Sequence, residues 1–263
     1  MLPVFLIILQ LLSPAQESVL QSPALLSDGE VLLYEVSWSR IKIGTIRLQV
    51  LPHRVKNGAI HYQAKATIDS YKLPFIDLHF IAYAEMDSLC NSIGSWSFEK
   101  KDDQWETLVY GYQMERHRIL VAKTLQEKPE LPSPSLVPDT LFVPEFPVQD
   151  GISMLYFARL LTRKLTAVKI PAVSMGKMGE VEFYKDRERT SVEIDALKQP
   201  VRVVKFSGKL HVEGILGLTG DFTGWFSDDE AAVPITAKLK FILGNVSIEL
   251  KQWKRASWQP PVK

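Results

Sequence analysis

The sequence predicts an all-β fold, a strongly curved and mainly antiparallel sheet or half-barrel with one major helix packed against or inside it. Three observations lead there. Most of the chain alternates apolar and polar residues with a period of two, the mark of strands that bury one face. One stretch, VQDGISMLYFARLLTRK (Val148 to Lys164), crowds its apolar residues at helical spacing instead. The alternating segments number about ten to thirteen, too many for one flat sheet, so the sheet has to curl.

The chain opens on MLPVFLIILQLLSPAQ, an apolar run closed by Ser13-Pro14-Ala15. Small residues at the two positions that a signal peptidase reads make residues 1–15 resemble a secretory signal cleaved near Ala15, and the run falls short of the ~20 residues of a comfortable membrane span. No Lys or Arg stands beside Met1, so a retained anchor or a misplaced start is the alternative. Residues 16–28 then read as a polar linker, 29–254 as a single β-rich domain and 255–263 as a polar tail.

Within the domain, GEVLLYEVSW puts Leu32, Tyr34, Val36 and Trp38 on one face; GTIRLQV does the same with Ile46, Leu48 and Val50. In AIHYQAKATID, Ile60, Tyr62, Ala64, Ala66 and Ile68 oppose His61, Gln63, Lys65, Thr67 and Asp69. Three half-buried strands in succession imply an antiparallel meander. The pattern continues through FIDLHFIAYAEMD, GSWSFEKK, WETLVYGYQME and HRILVAK, and resumes after the helix from TAVKIPAV to NVSIELKQW. Between the two blocks, residues 129–147 hold six prolines, from Pro129 to Pro147, and read as a surface loop that cannot join a ladder. Asp150 is the expected N-cap of a helix over about 151–163, whose circumference is apolar almost all round and needs cover on most sides.

Composition narrows the function. Apolar content of 46%, charged content of 23% and a net charge of +1 describe a globular chain with no global field to steer it to nucleic acid. Cys90 is the only cysteine, so no disulfide forms within the chain, and a packed strand residue is its expected role rather than a reactive thiol. Export without disulfides suits a bacterial envelope.

Three stretches resemble a bacterial family, domain of unknown function 3108. GEVLLYEVSWSRIKIGTIRLQV is similar to its opening hairpin, with Trp38 and Gly44; VQDGISMLYFARLL to its central helix, with Gln149, Asp150, Ser153, Tyr156 and Arg159; and WFSDDEAAVPITAKLKFILGNVSIEL to its closing pattern, with Trp225, Asp228, Asp229, Pro234 and Gly244. The resemblance runs from Gly29 to Trp253 and implies an exported, mostly β envelope protein; it brings no catalytic residue.

Chemistry is sparse. No phosphate loop or dinucleotide fingerprint occurs, and the five histidines show no metal-ligand spacing, so no cofactor, metal or catalytic residue is expected. Ser153 lacks the second glycine of a nucleophile elbow and reads as a helix-start serine. Asp228-Asp229-Glu230 reads as a solvated turn that Asp229 fixes. Lys251, Trp253, Lys254, Arg255 and Trp258 read as a last strand and tail, with weak membrane-surface contact as the alternative. Arg159 is the outlier, because a guanidinium on an apolar helix must find an anion or reach water. It pairs with a protein carboxylate, or else, with Tyr156 and Ile152, it borders an interior space and meets the head group of an amphiphile.

The function expected is therefore non-enzymatic: an exported periplasmic protein that binds an apolar or amphiphilic ligand, such as a lipid, or an envelope protein. By analogy of fold alone it is similar to periplasmic lipoprotein carriers and outer-membrane lipoprotein acceptors. A ligand-free envelope scaffold is the first alternative and a hydrolase the second. No nucleic-acid partner is expected, nor a transmembrane span once the signal is removed.

Overall fold

A computed structural model describes residues 25–74, 76–132, 137–143, 147–162, 167–241 and 244–263. The expected signal sequence, most of the linker, part of the proline-rich stretch and Arg163 lie outside the described residues.

The strands are β1 (Val31–Trp38), β2 (Ile41–Lys56), β3 (Ala59–Ser70), β4 (His79–Met86), β5 (Ser92–Lys101), β6 (Gln104–Gln113), β7 (Arg118–Gln126), β8 (Asp139–Phe142), β9 (Val168–Ser174), β10 (Lys177–Val192), β11 (Val201–Leu210), β12 (Gly220–Ser227), β13 (Pro234–Phe241) and β14 (Gly244–Lys254). One helix, α1 (Gly151–Leu161), separates β8 from β9. The 14 strands form one antiparallel sheet in the order β8-β7-β6-β5-β4-β3-β2-β1-β14-β13-β12-β11-β10-β9. The sheet is therefore two consecutive meanders joined along β1 and β14. A chain that finishes one meander at β8 has to cross to the far edge to begin the other at β9. Helix α1 lies on that crossing, and this is why, among the described residues, one α-helix stands between the two blocks of strands.

The alternation holds over most of the first three strands; Ile60, expected on the inward face, is instead exposed, because β3 there runs beyond the core beside the β2–β3 turn. Leu32, Tyr34, Leu48, Val50, Tyr62, Ala64 and Ala66 are buried on the concave face. Register shifts at Val36/Ser37 and Leu51/Arg54 insert extra residues that bend and twist the sheet. At Gly44 a side chain would run into the Asp69 carbonyl of β3, so only glycine lets the two backbones approach there. Gly244 begins β14 at φ 134°, where a Cβ would lie 2.8 Å from Ser39 Oγ and 3.1 Å from Trp38 Nε1.

The proline-rich stretch differs from the expectation. Its Asp139–Phe142 segment pairs with β7 as β8. Those four residues contain no proline, and an edge strand needs partners on one side alone. Residues 255–263, expected as a polar tail, turn back: the Arg202 N–H donates to Pro261 O, Lys263 N–H donates to Pro200 O, and Val262 bridges Val201.

The two edges of the sheet approach each other without closing. Gln149 forms a parallel bridge with Ala172 of β9, and the Gly176 N–H in the β9–β10 turn donates to Tyr110 Oη of β6 at 2.7 Å. Between them Leu108, Ile119 and Val121 pack with Val143, Val148 and Val173.

Candidate functional site

Helix α1 is fixed at its start by a buried polar cluster. Asp150 Oδ1 accepts from the backbone N–H groups of Ile152 (2.8 Å) and Ser153 (3.1 Å), and Ser153 Oγ accepts from the Asp150 N–H (2.9 Å). This is a reciprocal capping box that satisfies the open donors of the first turn. Ser92, at the start of β5, donates to Asp150 Oδ2 at 2.7 Å and shares a hydrogen bond with Ser153 Oγ, so the cap is bolted to the sheet. Burial pushes the Asp150 carboxyl above its ordinary value, against the Ser92 hydroxyl and the two backbone donors. Ser153 is spent in this cluster and serves the helix start. The amide nitrogen of Gln149, fully buried beside it, has no hydrogen-bond partner among the described residues.

At the other end of α1 the guanidinium of Arg159 is fully buried. It donates to Glu30 in a forked pair, Nη1 to Oε1 at 2.8 Å and Nη2 to Oε2 at 3.1 Å, and to the Ala231 carbonyl from Nε (3.2 Å) and Nη2 (2.9 Å). Arg255 also donates to Glu30. Burial would push the Glu30 carboxyl up, but the charges and hydrogen bonds of Arg159 and Arg255 outweigh it and hold the group below the ordinary carboxylate range. Tyr156 lies under the same guanidinium, 5.2 Å from ring centre to Cζ. The cluster ties the helix to the entry of β1, to the β12–β13 turn and to the C-terminal segment. Asp229 holds that turn, accepting from Ser227 Oγ, the N–H groups of Ala231 and Ala232, and Trp258 Nε1.

Between these two anchors the helix and the concave face border a half-open cavity of about 440 Å³. Ile46, Leu48, Ile68 and Phe80 line one wing. The other wing is aromatic: Phe183 packs on Phe206 (5.0 Å) and edge-on to Phe222 (5.6 Å), and Phe206 meets Phe226 edge-on (6.1 Å). Ile152, Met154, Leu155 and Ala158 present α1 to the same space. The space exists because the inward positions between the wings are small: Ala66, Ala82, Ser95, Ser97, Gly224 and Ala237.

Of the three residues expected at a ligand, Ile152 reaches the cavity wall, while Tyr156 and Arg159 belong to the Glu30 cluster. The Tyr34 hydroxyl donates to the carbonyl of Pro234, and both residues line the cavity. Trp225 stands on the convex face with Lys238 5.8 Å from its ring centre. They border a second, open cleft of about 620 Å³. Several of its charges pair with one another, Lys251 bridging Glu35, Asp195 and Glu249, and Lys42 pairing with Glu35. Cys90 is buried, and burial pushes its thiol up to about 12. His53, His61, His79 and His211 each sit against a carboxylate outside the cavity wall. Among the described residues no three His, Cys, Asp or Glu side chains converge in a metal-binding group, and no helix is long and apolar enough to cross a membrane.

Sequence signals for the missed residues were present but weak. Glu30 is the single acid next to the first strand, and Ser92 begins a strand with no feature that marks it as the partner of a helix cap.

A family model described as protein of unknown function (DUF3108) matches residues 33–251. No curated protein matches the chain in sequence. Among solved structures, the chain is similar to a β-barrel-like protein of domain of unknown function DUF1849 from Brucella abortus, at 6% identity and a TM-score of 0.54, over 88% of this chain and 99% of that one. This likeness shows a shared fold. A candidate lipoprotein from Parabacteroides distasonis aligns at 10% identity and a TM-score of 0.37 over 87% and 96% of the two chains. A candidate exported protein with a YmcC-like fold from Bacteroides fragilis aligns at 7% and 0.33 over 87% and 97%.

Proposed function

The chain belongs to the DUF3108 family, and from that premise we propose that it is an exported, periplasmic binding protein that holds one apolar or amphiphilic molecule in the concavity of its sheet. The observation that supports this reading is the cavity of about 440 Å³. A scaffold would fill such a space with side chains, since protein interiors are packed to the density of organic crystals. An engineered cavity of about 150 Å³ takes one benzene ring, so a space about three times larger has room for roughly eighteen carbons. That is the size of a single acyl chain, and the lining matches: aromatic and aliphatic walls with a few polar groups, the composition of small-molecule sites. Tyr34, Ser95, Ser97, Tyr110, Asp150 and Ser174 are among the polar residues on the wall.

The test is occupancy. Native mass spectrometry of protein purified from its own envelope fraction should show a bound lipid or fatty acid, and cis-parinaric acid should bind the emptied protein. Ala82→Trp, which places a large ring in the void, should weaken that binding by more than tenfold while the fold persists. An empty protein that takes up no acyl probe would return the molecule to the scaffold reading.

A further inference from the structure

We propose, resting on the cavity reading above, that the molecule held there is an amphiphile with a small, uncharged head, and that this head lies inside, against the hydroxyl groups of the β5–β6 wall.

The wall offers no counter-charge. Among the described residues that line the cavity there is no Lys, Arg or His, and Asp150 brings the only carboxyl. That carboxyl is already occupied, accepting from the N–H groups of Ile152 and Ser153 and from the Ser92 hydroxyl. Arg159 and Arg255 both donate to Glu30, and neither lines the cavity. An anionic head drawn into this space would leave water without meeting a cation, and an unpaired ion is strongly disfavoured there. A cationic head meets the same obstacle, since the one acid on the wall has its donors in place.

Hydroxyl groups with open positions do line the wall, and they lie together. Ser95 of β5 stands opposite Tyr110 of β6, and Ser97 follows two residues on along the same face. The buried Tyr110 accepts at Oη from the N–H of Gly176, in the β9–β10 turn that also brings Ser174 to the wall. The Tyr110 proton has no acceptor among the described residues, and the Ser97 and Ser174 hydroxyls make no hydrogen bond among them. Hydroxyls so placed are normally paired, and each can donate to, or accept from, an ester, an amide or an alcohol. The other wing, with Phe183, Phe206, Phe222 and Phe226, carries aromatic rings in place of such groups and suits the tail. The cavity is thus polar but uncharged at the seam between the two sheet edges and apolar beyond it.

Size sets the length of the tail. Space for about eighteen carbons holds a chain of about twelve together with a head as small as glycerol. A longer acid such as cis-parinaric acid fills the space with its chain and leaves its carboxylate at the opening, so its binding reads the cavity and not the head.

The experiment compares heads on one chain length. N-phenyl-1-naphthylamine, an uncharged fluorescent probe, is bound to the emptied full-length exported protein and displaced at neutral pH by monolauroylglycerol, dodecanoate or dodecylammonium, each below its micelle concentration. Monolauroylglycerol should bind about tenfold tighter than either ion, because an unpaired buried charge costs at least as much as one unsatisfied hydrogen-bonding group. Ser97→Lys, which supplies a cation at the head position, should erase most of the preference over dodecanoate. Tyr110→Phe, which keeps the ring, should weaken monolauroylglycerol several-fold more than dodecanoate, and it decides the matter if thermal unfolding shows Ser97→Lys to be unfolded. Equal displacement by the three compounds, or a ratio that neither variant changes, would overturn the uncharged head while leaving the cavity reading intact. Tighter binding of dodecylammonium would make Asp150 a counter-ion and overturn it equally. Failure of both N-phenyl-1-naphthylamine and cis-parinaric acid to bind would remove the cavity reading, and the head with it.

Discussion

Replacing Arg159 with methionine asks what holds the helix in place. The side chain is of similar length and keeps the apolar packing of the stem, so the perturbation is the loss of the guanidinium. Arg159 makes four hydrogen bonds, two to the Glu30 carboxylate and two to the Ala231 carbonyl. Hydrogen bonds to charged groups contribute about 1.5–3 kcal/mol each, so a plain sum exceeds about 6 kcal/mol. The sum overstates the loss, because Arg255 remains on Glu30 and keeps its charge partly neutralised. The expected cost is about 3–5 kcal/mol, the range for breaking a buried pair by removing one partner. Urea unfolding of the wild type, Arg159→Met, Glu30→Gln and the double variant closes a cycle, and the double should cost less than the sum of the singles. The pH dependence gives a second reading. Glu30 is held below its unfolded value of about 4.3, so its contribution is present above that pH and is lost as pH falls through the lower folded value. Without Arg159 the upward push of burial meets less opposition, so the gap between wild type and variant should narrow on the acid side. A loss below about 1 kcal/mol, of the size seen for surface substitutions, together with additive single effects, would refute the claim that this pair anchors the helix.

Other outcomes follow from the same geometry. Asp150→Ala removes an N-cap and leaves the Ser92 hydroxyl without its acceptor, and should cost about 2 kcal/mol in thermal or chemical unfolding; Asp150→Asn, which keeps an acceptor for the helix N–H groups, should cost less than about 1 kcal/mol. Leu161→Ala, at a buried position of α1, should cost about 2–5 kcal/mol, and retention of full stability would place the last helical turn outside the core. The exported chain should begin at Gln16, which its intact mass reads directly; recovery of the uncleaved chain from the cytoplasm would remove the periplasmic reading.

How much of this was written plainly in the sequence depends on what the periodicities can carry. Alternation reports which face of a strand is buried, and so β1, β2 and β3 were legible down to individual residues such as Leu32, Tyr62 and Ala64. It does not report pairing at a distance, and nothing in Val31–Trp38 points to Gly244–Lys254 as its second neighbour. Proline content misled at Asp139–Phe142, because a count over the whole segment hid a proline-free stretch long enough for an edge strand.

The helix shows the same limit at the level of the site. Projection at 100° per residue placed Ile152, Tyr156 and Arg159 together, and all three are buried. A shared stripe is not a shared environment: Ile152 and Arg159 are about 10 Å apart along the axis at 1.5 Å per residue, enough for the first to meet the cavity and the second the Glu30 cluster. Of the other residues that present α1 to the cavity, Met154 and Ala158 lie on the far side of the helix from that stripe and Leu155 between the two. Nor does an apolar-polar code show a void, because it scores Ala82 like a leucine and Ser97 like any polar residue. What makes the cavity is side-chain volume at inward positions, with Ala66, Ala82, Ser95, Ser97, Gly224 and Ala237 set between large residues on either wing. Alternation of size within one face is a signal the sequence does contain, and it becomes readable once the strand order brings those small residues together across β3, β4 and β5 on one side and β12 and β13 on the other.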